Sequence, residues 1–124
     1  MQTLELYGIK TCGSVKKAIS FLNAHSIPFY FIDLKTHTPS LQHLQQWTAQ
    51  KGIEVLFNTK GTTYKNLKKE DLIPANLSLQ DKITLLHQYP MLLKRPIISY
   101  EKMLIVGFDE KSLMLLKQAY KGNK

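Results

Sequence analysis

Cysteine occurs once in the 124 residues, as Cys12. A single sulfur excludes an internal disulfide, so the fold cannot depend on oxidation. Arginine also occurs once, as Arg95, although Lys and Arg together number 17. Arginine is the residue that makes bidentate contacts to bases and phosphates. The lysines are scattered along the chain, and aromatic residues do not interleave with them as a single-strand binder requires. Nucleic acid is therefore not expected as a direct partner. No apolar run is long enough to span a bilayer, and Met1-Gln2-Thr3-Leu4-Glu5 lacks a basic segment followed by an apolar one. The expectation is a cytoplasmic protein with no membrane partner. The four histidines, His25, His37, His43 and His87, show no metal-ligand spacing with carboxylates or with Cys12, so no metal is expected. A phosphate-binding glycine loop is also missing.

What is present fits one globular domain. Hydrophobic residues make up 44% of the chain, with six Gly and five Pro, which argues against disorder. The length suits a single domain over residues 1–124 with a real core. Nine acidic residues leave a formal charge of +8, compatible with an anionic small molecule or with an ordinary solvated surface.

The most informative stretch runs from Leu4 to Lys17. Leu4 to Tyr7 alternates like a strand, Gly8 to Lys10 turns the chain, and from Ser14 the apolar spacing becomes helical. Val15, Ala18, Ile19 and Leu22 form one buried face. Cys12 thus falls at a strand-to-helix junction, where unpaired N–H groups and the helix dipole favour an anion such as a thiolate. Lys10 and Lys16 are near in sequence. The competing reading is a small buried hydrophobe.

Asn23-Ala24-His25-Ser26 ends this helix, and Ile27 to Leu34 reads as a second strand with Pro28 at its start. Strand, helix and strand in this order form a βαβ unit with parallel strands. Thr38 or Ser40 opens a helix that continues to Lys51, where Gly52 stops it. Ile53 to Phe57 is too short to classify; Asn58 to Thr63 is a polar loop, and Tyr64 to Leu67 a helical turn. Ser78 and Asp81 form a capping box for a helix reaching Tyr89, where Pro90 interferes. Arg95 to Ser99 and Lys102 to Phe108 read as a hairpin about a Tyr100-Glu101 turn. Asp109 caps a last helix carrying Leu113, Leu116 and Tyr120, and Lys121 to Lys124 should fray. The order is βαβ, a helical insertion of about 38–92, then ββα. It predicts an α/β, thioredoxin-like fold with a four-stranded mixed sheet.

Tyr7-Gly8-Ile9-Lys10-Thr11-Cys12, Lys16-Lys17-Ala18, Phe57 to Tyr64 and Leu93 to Ile98 closely resemble the ArsC-like family. That family contains glutaredoxin-linked arsenate reductases, Spx-type regulators and YffB-type reductases, and the match is nearest the last. The resemblance implies a reactive Cys12 and an oxyanion-holding Arg95. At the positions of the other family arginines stand Asn58 and, allowing one gap, Gly107, so arsenate loses its bidentate partners. Val15 occupies the second position of the Spx-type Cys-x-x-Cys switch, and one sulfur cannot form it. Gly52 matches a glycine at the Spx contact with RNA polymerase, and is equally the residue a helix C-cap needs.

The expectation is a monothiol, glutathione-dependent reductase in which Cys12 forms a mixed disulfide that external glutathione resolves. Gly13 and Ser14 would supply N–H groups, with Lys10 and Thr11 at the rim. Arg95 would hold a carboxylate of glutathione or substrate, and a cis Pro96 would shape the groove. The bland reading of Arg95 is a surface ion pair. Asn58, Lys60 and Thr62 would form the other wall, or else a polar loop capping its own turn. No cofactor is expected to be bound; glutathione is the co-substrate, and glutaredoxin a possible protein partner. The alternative is an Spx-like protein binding the RNA polymerase α subunit without catalysis.

Overall fold

The computed structural model describes residues 3–122; Met1, Gln2, Asn123 and Lys124 lie outside it, and with them part of the expected terminal fraying. The chain forms two compact units, one built from the N-terminal residues to Asp33 and from Arg95 onward, the other from Leu34 to Lys94.

The first unit holds β1 (Leu4–Gly8), α1 (Gly13–Ala24), β2 (Tyr30–Asp33), β3 (Ile97–Tyr100), β4 (Met103–Val106) and α6 (Glu110–Gly122). Its four strands run in the order β2-β1-β3-β4. β1 is parallel to β2 and antiparallel to β3, and β3 is antiparallel to β4. This is the mixed sheet of the thioredoxin-like fold. Register aligns Leu6 with Ile98 and Ile98 with Ile105, and Leu4 with Tyr100. Because side chains alternate along a strand, these residues share one face. Val15, Ala18 and Leu22 of α1 and Leu113 and Leu116 of α6 pack with them into one core.

α1 ends in a Schellman motif, although no glycine announces it. Ser26 N–H donates to Asn23 O at 3.1 Å and Ile27 N–H to Leu22 O at 2.9 Å. Ser26 takes the left-handed position at φ 55°, and buried Ile27 closes over the helix end. That capture removes Ile27 to Phe29 from the strand, so β2 is shorter than the predicted Ile27–Leu34. The hairpin is also displaced: Tyr100 pairs with Met103, and the turn is Glu101-Lys102, with Glu101 at φ 54°. Tyr100 is only 2% exposed, and burying its ring keeps it in the strand rather than the turn. α6 extends to Gly122, so Lys121 is helical rather than frayed. Its Nζ donates to His25 O at 2.9 Å.

The second unit holds α2 (Leu41–Lys51), α3 (Ile53–Leu56), α4 (Thr62–Lys69), α5 (Leu79–Gln88) and a 3-10 turn at Pro90–Leu92. Ser40, not Thr38, caps α2, accepting from His43 N–H at 3.0 Å. Gly52 closes it at φ 92°, a conformation that suits glycine. The unclassified stretch 53–57 becomes one helical turn, with Phe57 bridging Leu93. The turn expected at Tyr64–Leu67 grows into all of α4, which ends in a second Schellman motif around Asp71 at φ 60°. The Ser78–Asp81 capping box forms in both directions, at 3.0 and 3.1 Å. Trp47 is buried in this unit and stacks on His43 one turn away, with ring centroids 5.8 Å apart.

Candidate functional site

The loop from β1 into α1 is a β-turn closed by Cys12 N–H donating to Ile9 O at 3.2 Å. Lys10 and Thr11 are its two central residues, and both are exposed. Cys12 then stands as the N-cap of α1 with extended backbone, φ −80° and ψ 127°, and its side chain makes no capping hydrogen bond. The first intrahelical bond runs from Lys16 N–H to Cys12 O at 3.0 Å. The N–H groups of Gly13, Ser14 and Val15 therefore precede the hydrogen-bonded ladder, and the first turn holds no acidic residue. Cys12 is half-buried, its body against the core. Nothing lies within 4 Å of where a Gly13 Cβ would stand, so the start of the helix is open beside the sulfur.

Gly8 fixes how close α1 approaches the sheet. A Cβ there would lie 2.6 Å from Val15 Cγ2, inside van der Waals contact, and Val15 is a stiff β-branched residue in the core. The glycine at the end of β1 thus sets the height of the helix that carries Cys12. The sequence signals only a turn at this position.

Arg95 and Pro96 reach the same end of the sheet. Tyr7 pairs with Ile97 in antiparallel register, so Pro96 falls opposite Gly8, where the cysteine loop departs. The Arg95–Pro96 bond is cis, as the resemblance implies. Pro96 is buried, and its carbonyl accepts from Gly107 N–H at 2.7 Å. Gly107 has φ 82°, where a side chain would be strained. A backbone requirement, not a lost arginine alone, accounts for glycine there. Arg95 is half-buried, with its Nε inside the protein. Lys10 Nζ lies 5.9 Å from the centre of the Phe31 ring on β2.

Lys10, Thr11, Cys12, Gly13, Ser14, Arg95 and Pro96 all belong to the first unit and converge on one sheet end. Asn58, Lys60 and Thr62 belong to the second unit. There Asn58 Oδ1 accepts from Lys60 N–H at 3.1 Å, and Asn58 N–H donates to Leu92 O at 2.9 Å. Lys60 is exposed, and Thr62 opens α4. The Asn58 carbonyl oxygen thus caps the loop's own turn. No cluster of three or more His, Cys, Asp or Glu among the described residues could hold a metal. No described helix is long and apolar enough to cross a membrane.

One buried tyrosine of the first unit has a displaced titration. Tyr7 is pushed up to about 12 by burial first, then by the charge and hydrogen bond of Glu5. Its hydroxyl donates to Glu5 Oε1 at 3.4 Å.

A model of the ArsC family matches residues 7–114. An uncharacterized protein of Haemophilus influenzae is 35% identical over 87% of this chain and 93% of its own length. The global transcriptional regulator Spx of Bacillus subtilis is 30% identical over 87% of this chain and 82% of its own. A solved YFFB protein structure is 32% identical, with a TM-score of 0.79 over 97% of each chain.

Proposed function

The chain belongs to the ArsC family, and from that membership we propose a monothiol, glutathione-dependent thiol reductase acting through Cys12. The Cys12 thiolate attacks one sulfur of a disulfide substrate, forming a mixed disulfide and expelling the other sulfur as a thiolate. A glutathione thiolate then attacks the mixed disulfide, releasing Cys12 as a thiolate and carrying away the bound half as a new disulfide. That exchange frees one substrate half as a thiol. A second glutathione thiolate then attacks the new disulfide and frees the other half. Two glutathione thiols thus supply the two electrons and leave as glutathione disulfide, each expelled thiolate taking a proton from water. Backbone N–H groups of Gly13 and Ser14 stabilise the negative sulfur, with Lys10 and Thr11 beside it. Arg95 holds a carboxylate of glutathione or substrate, and Pro96 shapes the floor.

The observation that carries this reading is the position of Cys12: an N-cap sulfur with no capping bond, ahead of free helix amides, in a chain with no second cysteine. Arsenate reduction is disfavoured because Asn58 and Gly107 stand where the resemblance places arginines, leaving Arg95 as the sole guanidinium for a tetrahedral dianion. The test is intact-mass spectrometry after exposure to glutathione disulfide. One glutathione should add to the wild type and none to Cys12→Ser. An unmodified wild type, alkylated no faster than glutathione at neutral pH, overturns the proposal.

A second reading rests on the regulator relatives. Spx of Bacillus subtilis is named a global transcriptional regulator, and a protein of that kind would bind the RNA polymerase α subunit without thiol chemistry. Pull-down with the α subunit that survives Cys12→Ser favours it. Gly52 does not argue for it, because its φ of 92° at the α2 terminus already demands glycine.

A further inference from the structure

The stretch 57–64, which carries part of the family resemblance, does two things within the second unit. Asn58, Lys60 and Gly61 shape the turn, and a Gly61 Cβ would stand 2.8 Å from Asn58 Nδ2. Phe57, Thr59 and Tyr64 instead line a cavity of about 290 Å³, closed by residues of α3, Leu77 and α5. The Phe57 and Tyr64 rings meet edge to face, 5.9 Å between centroids and 82° between planes. Buried Ile53 and half-buried Leu77 extend this apolar corner.

Two opposite charges stand at the same cavity, Glu54 from α3 and Lys82 from α5. Neither side chain has a hydrogen-bond or ion-pair partner among the described residues, and they do not bond each other. A carboxylate and an ammonium lining one cavity with an aromatic corner match a zwitterion with an apolar body. The cavity shares Tyr64, Leu77 and Lys82 with a wider groove, which gives a ligand a way in.

We propose that this cavity binds a free α-amino acid with an aromatic or branched apolar side chain. Its ammonium pairs with Glu54, its carboxylate with Lys82, and its side chain packs into the Phe57–Tyr64 corner. The site is separate from Cys12 and needs no thiol chemistry.

The probe is L-phenylalanine, titrated into the full chain and followed by amide chemical-shift changes. A ligand of a dozen heavy atoms with two exposed charge pairs should bind near about 1 mM. Shifts should centre on residues 53–59, 64, 77 and 82, and be the same in Cys12→Ser. Phenethylamine, which lacks the carboxylate, should lose affinity about tenfold in wild type and gain nothing from Lys82. Hydrocinnamate, which lacks the ammonium, should behave likewise toward Glu54. Glu54→Gln should weaken phenylalanine and phenethylamine but not hydrocinnamate, and Lys82→Gln phenylalanine and hydrocinnamate but not phenethylamine. Glu54→Gln keeps shape and Lys82→Gln removes the ammonium, both at positions that solvent reaches. No shift at these amides at about 10 mM phenylalanine, or equal affinity for all three probes, overturns the proposal.

Discussion

At the scale of single residues, small atoms set large consequences. Gly8 is the sharpest case, because the atom it omits would fall within 2.6 Å of Val15. Gly8→Ala is expected to lower stability by about 1–3 kcal/mol through overpacking, read from urea unfolding. It should also slow Cys12 alkylation, because the helix start must move with Val15. Tyr7 makes a pH prediction. Below the ordinary tyrosine value, folded and unfolded chains both keep the phenolic proton, and stability is unaffected. Between about 10 and 12 the unfolded chain releases it while the folded chain holds it, so stability falls as pH rises. The share lost is about 2–3 kcal/mol, from a pKa pushed up to about 12. Unfolding midpoints on either side of this window check it, and Tyr7→Phe should remove that part of the slope. The cysteine was legible in the sequence because its surroundings change period from two to 3.6 at that point. Gly8 and Gly107 were not, since their reasons are a contact and a backbone angle that no neighbour in sequence reveals.

At the scale of elements, the helix ends separate what the sequence shows from what it hides. Ser40, Gly52 and the Ser78–Asp81 box were readable because each uses the residue its geometry prefers. The end of α1 was located, but the Schellman closure was not, because Ser26 occupies a position that glycine normally takes. That closure shortened β2, and the same physics around Asp71 ends α4. Ser26→Gly should relieve the left-handed strain and raise stability by about 0.5–1 kcal/mol, measurable as a higher midpoint in urea. The hairpin shift has a similar origin. A sequence reading places the polar Tyr100-Glu101 pair in the turn, yet Tyr100 belongs to the core and Glu101-Lys102 supplies the turn. The parallel β1–β2 pair and the β3–β4 hairpin followed from the element order, since βαβ and ββ connections leave few alternatives; the pairing of β3 with β1 did not.

At the scale of the molecule, the charge is evenly shared. The first unit carries nine basic and five acidic residues and the second eight and four, so each holds +4. A surplus divided this way makes no basic half, and Arg95 is the sole guanidinium. Duplex or single-stranded DNA should therefore not shift in a gel at about 10 μM protein and physiological salt. Retention that falls steeply with salt would contradict this.

Strand order also decides when this protein can be finished. The inner neighbour of β1 is β3, which follows the whole second unit in sequence, and the Lys121 clasp onto His25 joins residues 96 apart. A nascent chain on the ribosome therefore carries β1 with one edge bare until Ile97–Tyr100 emerges. The sulfur of Cys12 is thus made well before the strand that completes the sheet beneath its helix.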